Sequence, residues 1–259
     1  MKRFLVNLFA VTFLAAPVVN ADELLADELQ VAVAANFLGT LQKLAPLFET
    51  ASGHHLLISG GASGQIYTQI TQGAPYDLFL SADKERPQRL EAEGLAVAGS
   101  GFTYATGKLV LWSPTAGVVT DGDGLKKGNF KHLAVANPKN APYGAAAQQV
   151  LTELKLWDNL NSEQKIVMGE SIAQAQQYVA SGNAELGFLA LAQVIGADGK
   201  PSGSWWLPPQ SLYKTLDQDA VILKRTEHLP AARQFMQWLR TNPEALAIIK
   251  AAGYAVAPQ

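Results

Sequence analysis

At 259 residues, with 48% hydrophobic and 16% charged side chains, the chain has the apolar material for a well-buried core, which excludes a disordered polymer. A formal charge of −2 with no Lys/Arg cluster beyond the isolated pairs Lys126-Lys127 and Lys224-Arg225 excludes a nucleic-acid binder. The lack of cysteine excludes disulfides, thiolate metal sites and cysteine nucleophiles.

In chain order, residues 1–21 read as a signal peptide. Lys2 and Arg3 form a positive n-region, and Phe4 to Val19 is apolar apart from Asn7 and Thr12. Val19-Asn20-Ala21 then supplies small residues for cleavage near Ala21. With no cysteine to carry a lipid, the expected destination is a periplasm. Cleavage would remove two basic residues and make the chain more acidic, so an anionic ligand would have to be captured by local neutral donors. No later stretch holds 18 apolar residues in a row, and the mature chain is expected to be soluble.

Strand-like runs follow at Leu29–Ala34, Leu56–Ser59, Asp77–Ser81, Lys108–Trp112, His132–Ala136, Lys165–Met168, Ala184–Leu191 and Ala220–Leu223. Several are apolar on both faces, as a buried parallel sheet requires. Helical spacing lies between them: Phe37, Leu41, Leu44 and Phe48 ahead of Gly53; Ile66 and Ile70 ahead of Gly73-Ala74-Pro75; Val150, Leu151 and Leu154; then Ser171 to Gln174, a capping box. Pro230–Leu239 and Pro243–Ala252 close the chain as a helical pair, while Asp121–Gly128 and Gly196–Gly203 read as surface loops. The alternation predicts an α/β fold. Thr103–Gly107 and Leu212–Gln218 are the candidate crossovers between two lobes, with residues 22–105 and 217–259 in lobe 1 and 106–216 in lobe 2.

Four strand-to-helix transitions place a small or polar residue where a helix begins: Ala35-Asn36, Gly60-Gly61-Ala62-Ser63-Gly64, Asn140 to Gly144 with Tyr143 at the helix entry, and Gly169-Glu170-Ser171-Ile172. Asn36 and Ser63 stand where N-caps belong, and the Asn36 amide can also donate outward. Each loop alone reads as ordinary capping. Helix starts leave N–H groups unpaired and carry partial positive charge, so four of them at the carboxyl ends of α/β strands can form an anion site without Lys or Arg. The glycine loop is neither a phosphate-binding nor a dinucleotide motif, and Gln65 breaks the nucleophile elbow around Ser63. His54, His55, His132 and His228 lack metal-pair spacing and read as surface or strand-edge residues. Asp77 and Asp83 read as solvated or capping groups, and Trp205-Trp206 as a packed loop rather than a sugar platform.

Val31-Ala-Val-Ala-Ala-Asn-Phe37, Gly60-Gly-Ala-Ser-Gly64, Gly73-Ala-Pro-Tyr-Asp-Leu-Phe-Leu-Ser-Ala-Asp83, Gly101-Phe-Thr-Tyr-Ala-Thr-Gly-Lys-Leu-Val-Leu-Trp112 and Gly182-Asn-Ala-Glu-Leu-Gly-Phe188 occur in this order. Together they resemble the periplasmic molybdate-binding proteins across essentially the whole mature chain. The resemblance implies a two-lobed venus-flytrap fold with the oxyanion in the interlobe cleft. It also implies ligand contacts from Ala35 and Asn36, Ser63, Tyr143 and the backbone of Ile172. Asn36 replaces a commoner serine, and Ala190 occupies the place of a ligand-binding tyrosine found in some members, which leaves Tyr143 to supply a hydroxyl from the opposite loop. The implied role is delivery of molybdate or tungstate, by a monomer, to the membrane permease of an ABC importer, with no catalysis, cofactor or directly bound metal cation.

Three other readings compete: a sulfate-type site, a secreted hydrolase, and a metal or organic-solute binder using the histidines or Trp205-Trp206. Sulfate is also a fully ionised tetrahedral dianion. Phosphate usually keeps a proton and needs a carboxylate acceptor, which none of the four loops supplies; Glu170 is nearest and is expected to serve its helix end. A secreted serine hydrolase using Ser63 would need a histidine and an acid beside it, and no motif provides them.

Overall fold

The computed structural model describes residues 26–196 and 198–256, so the expected signal peptide lies outside the described residues. Its strands are β1 (Glu28–Ala34), β2 (His55–Gly61), β3 (Leu78–Leu80), β4 (Phe102–Gly107), β5 (Leu109–Ser113), β6 (Leu133–Ala136), β7 (Ile166–Gly169), β8 (Leu186–Ala190), β9 (Ser204–Trp206) and β10 (Leu216–Ile222). The helices are α1 (Leu38–Ser52), α2 (Ser63–Thr71), α3 (Glu85–Ala92), α4 (Gly122–Lys127), α5 (Pro142–Glu153), α6 (Trp157–Ser162), α7 (Ile172–Ala180), α8 (Leu229–Thr241) and α9 (Pro243–Ala251). Among the described residues no helix is long and apolar enough to cross a membrane.

The strands form two five-stranded mixed sheets, ordered β2-β1-β3-β10-β4 and β7-β6-β8-β5-β9. In the first, β1 runs parallel to β2 and β3, and β10 is antiparallel to β3 and β4. Side chains alternate across a strand, so each strand supplies two cores. Val31, Val33, Leu78, Leu80 and Ile222 meet α1, α8 and α9, with Phe48 set edge-on to Phe235 at 5.1 Å. Ala32, Phe79 and Val221 face the other way, onto Ile66 and Ile70 of α2 and Leu90 of α3. Every residue of these central strand segments is buried, which explains their continuous apolar reading in the sequence.

The chain passes from the first sheet to the second between β4 and β5 and returns ahead of β10. The expected lobe limits at 105/106 and 216/217 therefore fall inside β4 and at the start of β10. Near its C-terminus the chain rejoins this region: Thr106 and Ala255 exchange backbone hydrogen bonds of 2.7 and 2.9 Å. Two expectations need correction. Asp121–Gly128 is not simply a loop, because Asp121 accepts from the Gly124 N–H at 3.0 Å and so caps the short helix α4. Trp205-Trp206 lies in strand β9, paired with β5, instead of in a packed loop.

Candidate functional site

Strand β1 ends in a tight turn over residues 35–37 before α1 begins. The N-cap of α1 is Phe37, without a side-chain cap, so Asn36 does not cap the helix as expected. Nor does its amide point outward. The Nδ2 group donates to Gln218 Oε1 at 2.9 Å and to the Tyr254 hydroxyl at 3.1 Å, which uses both hydrogens. The Ala35 N–H is spent as well, on the Gly61 carbonyl at 2.9 Å. The Asn36 backbone N–H remains, with no protein acceptor among the described residues. Competition for the amide from a tyrosine over two hundred residues away overrode the local capping signal.

Ser63 is the first residue of α2; the N-cap position belongs to Ala62, and Ser63 makes no capping bond. Its buried Oγ instead accepts from the Ala82 N–H at 3.0 Å. A hydroxyl has one proton and two lone pairs. Once it accepts from Ala82, its proton has no protein acceptor among the described residues. The preceding glycines permit a close approach: a Cβ on Gly60 would meet the Leu38 side chain at 2.8 Å.

Tyr143 enters α5 behind Pro142, whose fixed φ suits the first helical turn. It is 1% exposed, and its ring reaches back between the two strands that connect the sheets. There Gln218 Nε2 donates to the phenol oxygen at 3.1 Å. A Cβ on Gly107 would collide with that oxygen and stand 2.6 Å from Gln218 Nε2, so glycine alone fits at the end of β4. Burial, reinforced by the neighbouring Tyr254 phenol, holds the Tyr143 pKa well above its ordinary value, against the opposing pull of the Gln218 hydrogen bond. Tyr143 is therefore neutral and, like Ser63, keeps a proton with no protein acceptor among the described residues.

Ser171 caps α7 by accepting from the Gln174 N–H at 3.3 Å, and the Gln174 side chain answers to the Glu170 N–H at 2.7 Å. That leaves Ile172 at the first helical position, where a backbone N–H has no intrahelical acceptor. Ala190 ends β8 nearby: its N–H donates to Gln193 Oε1 at 3.0 Å, and Gln193 Nε2 donates to the Ile172 carbonyl at 3.2 Å. Glu170 accepts from Asn137 and Asn140 and ties two of the loops together at the surface.

Ala35, Asn36, Ser63, Tyr143 and Ile172 all line one cavity. Its volume is about 10 Å³, close to what one water centre needs, so any larger ligand requires its walls to move apart. Among the described residues no charged side chain lines it. The groove beside it mixes Lys84, Arg86, Lys139 and Lys214 with Asp83, Glu85 and Asp217, so neither sign of charge dominates the approach. The two sides of the cleft touch directly: the Gly64 N–H donates to the Asn140 carbonyl at 2.8 Å, and Arg86 Nη2 to the Lys139 carbonyl at 3.1 Å. Arg86 is held by an ion pair with Asp83.

Residues 29–255 match the family described as bacterial extracellular solute-binding protein. The chain belongs to that family. Within it, the chain is 53% identical over 233 residues to the molybdate-binding protein ModA of Azotobacter vinelandii, covering 89% of this chain and 91% of that one. It is 49% identical over 229 residues to ModA of Rhodobacter capsulatus, covering 88% of each. The solved structure of an Azotobacter vinelandii periplasmic molybdate-binding protein superposes with a TM-score of 0.86 at 50% identity, covering 89% of this chain and all of that one.

The remaining polar residues of this solute-binding protein stand apart from the cavity. His54 is buried rather than at the surface: Gly53, in the left-handed region at φ 78°, turns it inward against the Phe48 ring, and its Nδ1 accepts from the Asp27 N–H at 3.1 Å. His55 and His132 are exposed, and His228 Nδ1 lies 2.8 Å from Asp27 Oδ1. Asp77 is buried, accepting from the Gln30 N–H at 2.7 Å and the Thr226 hydroxyl at 2.6 Å. Sequence reasoning missed Gln218, Tyr104 and Tyr254, which surround Asn36 and Tyr143. Gln218 stands between Asp217 and Asp219 in β10, so no break in an apolar run marked it.

Proposed function

We propose that this chain captures molybdate or tungstate as a tetrahedral dianion in the cavity between its lobes and delivers it, as a monomer, to the membrane permease of an ABC importer. The observation that carries this reading is a cavity offering donors alone. Among the described residues, Ser63 and Tyr143 each hold a proton without a protein acceptor and the Asn36 N–H has none either, and α2, α5 and α7 turn their starts toward the same point. Neutral donors and helix starts suit a fully ionised oxyanion. A protonated one would bring a hydrogen that no carboxylate there can accept.

The identity to molybdate-binding proteins favours the larger oxyanions over sulfate, and it favours a periplasmic location reached through a cleaved signal peptide. Binding and release are the whole of its chemistry in this reading: a hydrolytic Ser63 would need a general base, and its oxygen accepts from a backbone N–H, with no histidine lining the cavity among the described residues. Calorimetric titration with molybdate, sulfate and phosphate tests the proposal. Tightest binding of molybdate is expected; tightest binding of sulfate, or no binding of any oxyanion, would reject it.

A further inference from the structure

Behind the cavity lies a buried chain of hydrogen bonds whose direction is fixed from one end. The Tyr254 hydroxyl oxygen is 2.8 Å from the Asn36 carbonyl oxygen, and a carbonyl has no hydrogen, so the proton between them belongs to Tyr254. With its proton spent, Tyr254 can only accept from the Asn36 side chain at 3.1 Å, which places Nδ2 there. The second Nδ2 hydrogen points at Gln218, 2.9 Å away, so that atom must be Oε1. The Tyr104 hydroxyl donates to the same oxygen at 3.0 Å, sharing its proton with the Ser81 carbonyl at 2.9 Å. Gln218 is therefore left with Nε2 facing the Tyr143 phenol oxygen at 3.1 Å. Its donation fills the lone pair on that side, and the phenol proton must point elsewhere. Gly107 crowds the phenol from the β4 side, and Tyr143 is among the residues that line the cavity.

We infer that Gln218 is a positioning residue that sets the direction of the Tyr143 hydroxyl proton, making the phenol a donor to the bound oxyanion and thereby selecting fully ionised oxyanions over protonated ones. This rests on the oxyanion reading of the cavity. Gln218 is fully buried, on β10 where the pairing with β4 shifts register between Gln218 and Asp219. That irregularity lies at the return crossover between the sheets. The groups facing the Gln218 amide are the Asn36 amide and the phenols of Tyr104 and Tyr143, with the Tyr254 phenol beyond Asn36; none carries charge at neutral pH. The next residue, Asp219, turns to the Thr103 hydroxyl at 2.6 Å. Reversal of the Gln218 end of the chain would reverse Tyr143 alone: the phenol would donate backward and present a lone pair to the cavity, an acceptor suited to a protonated oxyanion.

The test is Gln218→Glu, whose carboxylate still accepts from Asn36 and Tyr104 but cannot donate to Tyr143. Molybdate and inorganic phosphate are titrated calorimetrically into the wild type and the variant at about pH 9 and about pH 6. At the higher pH, with the introduced carboxyl ionised, the ratio of molybdate to phosphate affinity should narrow at least tenfold relative to wild type. At the lower pH a protonated carboxyl can donate as the amide does, and the ratio should recover. Added negative charge repels both anions, and looser packing weakens both, so neither moves the ratio by itself. If the glutamate variant does not fold, Gln218→Met, which neither donates nor accepts, should narrow the ratio at both pH values. An unchanged ratio in the folded variant overturns the inference and leaves the site reading standing. A wild type that binds neither anion overturns the site reading, and this inference with it.

Discussion

The Gly64 N–H, in the first turn of α2, donates to the Asn140 carbonyl ahead of α5 at 2.8 Å, joining the two sides of the cleft by one backbone hydrogen bond. A Cβ on Gly64 would stand 2.9 Å from Asn140 Cα and 3.1 Å from both the Asn140 oxygen and the Arg86 guanidinium. Gly64→Ala should therefore hold the cleft slightly open while the helix itself tolerates alanine. Loss of that bond, worth about 0.5–1.5 kcal/mol, should weaken ligand affinity up to roughly tenfold. The change should be in the dissociation rate, read by stopped-flow chase of bound molybdate. An unaltered dissociation rate would mean that this contact does not hold the closed form.

Ser63 and Tyr143 should each contribute a charge-assisted hydrogen bond to the ligand. Such bonds are worth about 1.5–3 kcal/mol, so Ser63→Ala should weaken molybdate binding by roughly ten- to a hundred-fold. It should also lower stability, because the buried Ala82 N–H loses its acceptor at a cost of about 1–3 kcal/mol. Tyr143→Phe should lower affinity by a similar order and strand Gln218 Nε2 in the same way. Titration calorimetry on variants whose melting shows an intact fold decides the matter; wild-type affinity in Tyr143→Phe would restrict that residue to its backbone N–H.

The four loops were legible in the sequence because their signals are local. Glycine before serine, proline before tyrosine and a serine–glutamine capping pair each report a helix start within a few residues. The strands were legible because burial on both faces leaves an apolar run. The hydrogen-bond partners were not legible. Asn36 pairs with Gln218 and Tyr254 at separations of 182 and 218 residues, and no periodicity carries that information. The same long-range bonds explain why Asn36 neither caps α1 nor sends its amide into the cavity. Asp121, by contrast, opens a segment that reads as a surface loop, yet its side chain suffices to start a six-residue helix.

Alkaline pH should destabilise the protein through its buried phenols. Burial is the chief cause that raises Tyr104, Tyr143 and Tyr254 above the ordinary value of 10.0. Above that value the unfolded chain loses these protons while the native state keeps them, so the native state binds more protons and stability falls as pH rises. Each phenol should add a slope of about 1.4 kcal/mol per pH unit. Denaturant unfolding between about pH 9 and pH 11 should show a steep loss, and Tyr104→Phe should make it shallower. Over about pH 6 to 9 the same shift predicts flat molybdate affinity, because Tyr143 is the one ionisable side chain lining the cavity among the described residues and it stays neutral.

Ligand-induced stabilisation should rank the oxyanions. A ligand that binds the native state and not the unfolded chain stabilises by about 4 kcal/mol at a thousand-fold excess over its dissociation constant. For a chain of this size that corresponds to roughly 8–16 °C in melting temperature, well within reach of a dye-based thermal shift. Molybdate and tungstate should produce it, because an ion large enough to touch α2, α5, α7 and the turn at Asn36 together satisfies every free donor. Sulfate is smaller, and donors it fails to reach would stay buried and unpaired at about 1–3 kcal/mol each. Phosphate keeps a proton in a cavity without a carboxylate, so its shift should be smaller still. At equal concentrations the order should be molybdate and tungstate, then sulfate, then phosphate. A larger shift with sulfate than with molybdate would make the cavity a sulfate site, with its donors spaced for the shorter ion.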